Sequence, residues 1–186
     1  MKLNKLAATA SILGLVLAFY SYVIPPTEET HNSKLFGIWL QKYSYPVSKG
    51  RISINGTTEY FNNGVYNFVG QMEIFVNGPK GSPSVLYDVD GSGEWIGGVD
   101  NLTTKLVDMK SHFISLKIDS KKIDLTKFPQ KYRNSFPKIE EHIPVGMSES
   151  YTIVSLNSKE SILKVDDPKG MPIIIKGIKQ SSQYQR

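Results

Sequence analysis

The sequence predicts an all-β fold, an antiparallel β-barrel or a strongly curved sheet, and three observations carry that prediction. In "VYNFVGQMEIFV" the alternate positions Tyr66, Phe68, Gly70, Met72, Ile74 and Val76 share one face, while Asn67, Gln71 and Glu73 share the other. A period of two belongs to a strand with one buried face. Just ahead, "EYFNNGVYNF" sets Asn63 and Gly64 between two aromatic-rich runs, the dipeptide that supplies the left-handed backbone of a tight hairpin. Among 186 residues, ten Tyr, eight Phe and two Trp, with 15 Gly and 10 Pro, favour strands and turns over a helical bundle.

The elements follow in order. "MKLNKLAATASILGLVLAFYSYVIPPTEE" places Lys2 and Lys5 before an uncharged run at 6–24, long enough as a helix to cross a bilayer. The run ends in bulky "FYSYVIPP" rather than in the small residues of a cleavage site, so it reads as an uncleaved anchor. No Lys or Arg lies between Lys5 and Lys34, and Glu28 and Glu29 follow the run. The positive-inside rule then leaves residues 1–5 in the cytoplasm and exports the body. A linker at 25–35 leads into a domain at 36–178, with a tail at 179–186.

Within the domain, hydrophobic alternation predicts strands at 38–43, 51–60, 64–76, 84–89, 94–96, 102–107, 112–118, 150–156, 161–165 and 172–178. Such a meander closes most simply as a barrel or a curved sheet. Between 119 and 147 the alternation fails, and the segment is polar, basic and broken by Pro129, Pro137 and Pro144. It is expected to be an insertion across one barrel end, with Asp124 placed to cap a short helix entering "LTKF" and "KIEEHI" forming another turn.

"DVDGSGEW", residues 88–95, has two readings. Asp88, Asp90 and Ser92 occupy the first, third and fifth positions of a calcium loop, but the bidentate Glu needed at the twelfth is replaced by Val99. The favoured reading is hairpin punctuation between "VLY" and "EWI", which requires no metal.

Other chemistry is scarce. The chain has no cysteine, hence no disulfide and no thiolate metal site. His31, His112 and His142 fall in no metal-binding spacing, and no nucleophile elbow, phosphate loop or nucleotide fingerprint occurs. Glu140 and Glu141 are adjacent, hence divergent on a helix and poorly arranged as an acid and base pair. Neither an enzyme nor a cofactor is expected. Asn55-Gly-Thr57 and Asn101-Leu-Thr103 match the glycosylation sequon, a short pattern that arises often by chance. With 22 basic and 17 acidic residues the net charge is +5, densest between 117 and 138. For an exported body this is a solvated insertion rather than a direct nucleic-acid patch.

A short N-terminal anchor, then "GIWLQKYSY", "TTEYFNNGVYNFVGQMEIF", "GSGEWIGG", "KLVDM" and "YTIVSLNSKESILKV", together resemble the ToxS group of bacterial membrane proteins and its bile-sensing relative VtrC. The resemblance runs in order over 36–178 and is least in the proline-rich insertion. It implies a lipocalin-like barrel in the periplasm, held on the inner membrane by a single pass. It further implies pairing with the periplasmic domain of a membrane-bound transcription regulator of the ToxR type, which the small protein protects or activates. A bile salt or similar amphipathic steroid is the implied ligand, and "GSGEW" becomes a strand entrance whose Trp95 packs into the barrel. The alternative is a free-standing periplasmic carrier of an apolar molecule, using the same barrel with no partner.

The candidate ligand site is the even-numbered face of 64–76, namely Tyr66, Phe68, Met72 and Ile74, with Tyr87 on the next strand and Trp95 beyond it. These six side chains either fill a small barrel or line a cavity in it. Tyrosine hydroxyls want a partner or water, and Gly70 and Met72 leave adaptable space, which favours a cavity.

Overall fold

The hairpin signal and the alternation that follows it both appear in the computed structural model, which describes residues 31–78, 82–119, 121–124, 129, 138–166 and 172–181. The expected membrane span at 6–24 and most of the tail lie outside the described residues, among which no helix is long and apolar enough to cross a membrane. A compact unit begins at His31. The last residues of the expected linker, from His31, are therefore packed rather than free. Asn32 N–H donates to Gly97 O at 2.8 Å, a 3-10 turn spans Ser33–Leu35, and Leu35 is buried.

Among the described residues nine strands make one antiparallel sheet: β1 Gly37–Val47, β2 Gly50–Tyr60, β3 Val65–Val76, β4 Pro83–Gly97, β5 Asn101–Ile118, β6 Lys121–Ile123, β7 Ser148–Leu156, β8 Glu160–Val165 and β9 Ile173–Lys179. Each of β1 to β5 pairs with the next, β5 pairs with β7 as well as with β6, and β7, β8 and β9 lead back to β1. Eight strands thus close the sheet on itself, and β6 is a short flap on the edge of β5. Gly64 has φ +79 between β2 and β3, the left-handed turn that the Asn-Gly pair demanded, and Tyr60 and Tyr66 face each other across it.

Two expected breaks are absent. The strands read at 84–89 and 94–96 are one strand, β4, and those read at 102–107 and 112–118 are one strand, β5. "DVDGSGEW" is therefore neither a calcium loop nor a turn, because it runs through the middle of β4. Its glycines serve close approach instead: a Cβ on Gly93 would sit 2.1 Å from the Lys105 carbonyl oxygen and 2.6 Å from the Tyr66 ring. The register shifts at Leu86/Tyr87 and Ser92/Gly93, where Ile114 and Val107 of β5 are left without an opposite residue. Such bulges reverse the alternation and sharpen the bend, so one long strand reads as two short ones.

The expected insertion at 119–147 begins by prolonging the sheet, because β6 pairs with the end of β5. Asp124 is described, but the "LTKF" helix it was expected to cap lies outside the described residues. "KIEEHI" does turn, as a 3-10 segment at Ile139–Glu141. Ser111 on β5 holds that segment, its Oγ accepting from Ile139 N–H at 2.9 Å and donating to Glu140.

The core has two parts. At one end of the barrel Trp39, Trp95, Leu35, Leu102 and Leu163 are fully buried together. Both indoles are satisfied there, Trp39 Nε1–H by Leu35 O at 2.7 Å and Trp95 Nε1–H by Phe61 O at 3.0 Å. Toward the other end Met72, Tyr87 and Val89 pack beneath Ile139 of the insertion, with Ile74 and Phe113 beside them.

Candidate functional site

Strand β1 alternates, with Trp39, Gln41, Tyr43 and Tyr45 turned inward and Leu40, Lys42, Ser44 and Pro46 turned outward. Moving along that inner face from the closed end, the side chains change from indole to amide to phenol. Tyr60 of β2, Tyr66 of β3 and Tyr151 of β7 complete the phenolic girdle, and a cavity of about 230 Å³ remains inside it. Phe68, Met72, Met109 and Ile143 supply its apolar wall.

The polar groups of this cavity are unevenly satisfied. Thr58 Oγ–H donates to Gln41 Oε1 at 2.9 Å, and Tyr151 Oη–H donates to Glu149 Oε2 at 2.7 Å. Tyr43, Tyr60 and Tyr66 make no side-chain hydrogen bond among the described residues, where no enclosed polar side-chain atom is left unpartnered. Their hydroxyls therefore open onto the cavity. Tyr60 is only 5% exposed, so its phenol sees little except that space and its neighbours.

Burial, and after it the Glu149 carboxylate, pushes the Tyr43 hydroxyl well above the ordinary tyrosine range, and the same two causes raise Tyr151, Tyr45 and Tyr66. Tyr60 is raised by burial first and by Tyr66 second. Loss of a proton would leave a phenolate in a space poor in water and already next to a carboxylate. The girdle is thus neutral at physiological pH and able both to donate and to accept hydrogen bonds.

The cavity opens where the barrel is least closed. Strand β1 pairs with β9 at only three positions, Trp39, Leu40 and Gln41. Residues 42–47 of β1 and 173–176 of β9 have no ladder partner on their facing sides among the described residues. A recess of about 520 Å³ occupies this split, lined by Tyr45, Pro46, Glu149, Val165 and Ile173. It shares Tyr45 and Glu149 with the inner cavity, so these two side chains stand between the recess and the cavity.

Of the six residues picked from the sequence, Tyr66, Phe68 and Met72 line the cavity. Ile74 and Tyr87 belong to the packed cluster beneath Ile139, and Trp95 is sealed in the closed end. The space expected above Gly70 is occupied, since the Phe68 ring lies where a Cβ at Gly70 would go. Tyr43, Tyr45, Tyr60, Tyr151 and Glu149 were missed. The odd positions of "WLQKYSY" carried a legible signal for the first two, a second aromatic face with period two.

The histidines come to no common centre. His31 Nε2 lies 2.9 Å from Trp95 O with its ring edge-on to the indole, while His112 and His142 are exposed. Among the described residues no three of His, Asp and Glu gather as a metal site. No protein-family model matches the chain, and no curated protein matches it.

Proposed function

We propose that this chain is a membrane-tethered, exported co-regulator whose lipocalin-like barrel takes up an amphipathic small molecule and pairs with the periplasmic domain of a ToxR-type transcription regulator. The observation that carries the reading is the unfilled, phenol-lined barrel interior opening at a split seam. An eight-stranded barrel is just wide enough either to be filled by side chains or to hold one small ligand, and here two packed clusters leave a phenol-lined space beside them. At the seam, 42–47 and 173–176 present unpaired strand edges, and such edges accept a strand from another chain. Ligand and partner would then meet at one place, which is what a sensor requires. The partner's type, the periplasmic setting and bile salts as the first ligand class to try come from the resemblance in sequence.

Co-expression of the full-length chain with the periplasmic tail of its cognate regulator is expected to give a one-to-one complex in which the tail resists proteolysis. Bile salt below its micelle concentration is expected to alter that protection. Proteolysis of the tail that is unchanged at saturating amounts of this chain would return it to the solitary-carrier reading.

A further inference from the structure

We propose that the guest of the phenolic cavity is an organic cation, an ammonium group carried on a compact apolar body, held between the tyrosine rings with its charge toward Glu149. The inference rests on the reading that the cavity binds an amphipathic small molecule and departs from its bile-salt class, by charge and by size.

Among the described residues that line the cavity Glu149 is the one acidic side chain, and none is Lys, Arg or His. It lies opposite Thr104 in the β5–β7 ladder, with Tyr151 two residues on along the same strand. Its one polar side-chain partner among the described residues is the Tyr151 hydroxyl, and no ion pair there involves it. Basic residues are plentiful in this chain, yet Lys105, the neighbour of Thr104 on β5, is turned outward to Glu94 at 3.7 Å. Glu149 is exposed at the rim, so the cavity has a water-facing carboxylate with no ion-pair partner among the described residues at its edge and phenol rings along its wall.

Both features attract the same ligand. A cation over a tyrosine face is held by the ring quadrupole, more strongly where water is excluded, and a carboxylate adds a direct ion pair. Both features repel an anion. The carboxylate or sulfonate of a bile salt would meet Glu149 with no basic side chain among the described lining to offset it, so on this geometry that group is not the one that enters. Size sets the body of the guest: a cavity of about 150 Å³ holds benzene, so about 230 Å³ suits one ring with a short alkylammonium arm.

The test uses three probes of one shape that differ in charge: 2-phenylethylammonium, 2-phenylethanol and 3-phenylpropionate. Each is titrated calorimetrically into the full-length chain in lipid nanodiscs, with empty nanodiscs subtracted. The cation is expected to bind about tenfold or more tighter than the alcohol, and the anion to give no heat. Glu149→Gln is expected to bring the cation to the affinity of the alcohol while leaving the alcohol unchanged, which also shows that the variant stays folded. Binding of the anion or the alcohol as tightly as the cation, or a cation affinity indifferent to Glu149→Gln, overturns the charge assignment and leaves ligand binding standing. Absence of heat from all three overturns both.

Discussion

At the closed end of the barrel, Trp39, Trp95, Leu102 and Leu163 exclude solvent completely and both indole N–H groups are paired. At the open end, the same inner faces carry Tyr43, Tyr45 and Tyr151 around an unfilled space, and the β1–β9 seam lapses after three positions. The strands are common to both ends, so neither the topology nor the period of two accounts for the difference. Side-chain chemistry along the barrel axis does. Aliphatic and indole groups gain most by touching one another, whereas the phenols beside the seam leave hydroxyls that need polar company or water. One end supplies stability, and the other spends some of it on space.

The largest expected effect breaks the closed end. Leu102 is 0% exposed and lies in that cluster, so Leu102→Ala is expected to cost about 2–5 kcal/mol and to melt the whole barrel in one transition by circular dichroism. A loss below about 1 kcal/mol would mean that the two ends do not differ as described. A smaller effect is expected from Ile139→Ala, although Ile139 is also buried. Its 3-10 turn can lift away locally, so the loss is limited to the free energy of that docking, about 1–2 kcal/mol. Faster protease cleavage in the insertion with a nearly unchanged thermal midpoint is the expected signature.

The smallest effect sharpens the open end. Folding raises the tyrosine values above the ordinary value of about 10, with Tyr43, Tyr60 and Tyr151 raised most. Their contribution to stability is complete below that ordinary value and is lost as pH rises from it toward the folded values, because the unfolded chain releases protons that the barrel retains. Tyr43→Phe is expected to change stability by no more than about 0.5 kcal/mol at neutral pH and to make the alkaline decline shallower. Tyrosinate absorbance and circular dichroism followed together against pH would show it; phenols that ionise well before unfolding would place the girdle in water.

Much of the fold was legible because β2 and β3 are regular. Tyr66, Phe68 and Met72 alternate inward as the sequence indicates, and Gly64 turns as the Asn-Gly pair requires. Strands β4 and β5 were not legible as single strands, since Val107 and Ile114 sit at bulges where the alternation changes phase. The site was half legible for a different reason. Period two tells which face a residue takes, not how far along the barrel it lies, so Trp95 and Tyr66 looked equivalent while one plugs the end and the other lines the space. Glu149 carried no pattern of its own, and only the β5–β7 ladder brings it to the tyrosines.

The narrow β1–β9 seam also orders events in time. It joins residues 39 and 179, which are 140 positions apart, whereas the neighbouring β1–β2 hairpin is closed by a tight turn between Val47 and Gly50. Contacts so distant in sequence form against more chain entropy than a hairpin does, so this join is expected to form later than the β1–β2 hairpin, which hydrogen exchange during refolding would show. Parting of this join would free Trp39 as well, because Trp39 is one of the three paired positions and Lys179 lies over its ring. Beyond it 42–47 and 173–176 border the recess with no ladder between them among the described residues, so any molecule or strand that bridges them lengthens the zipper from its open side and leaves the tryptophan end as it is.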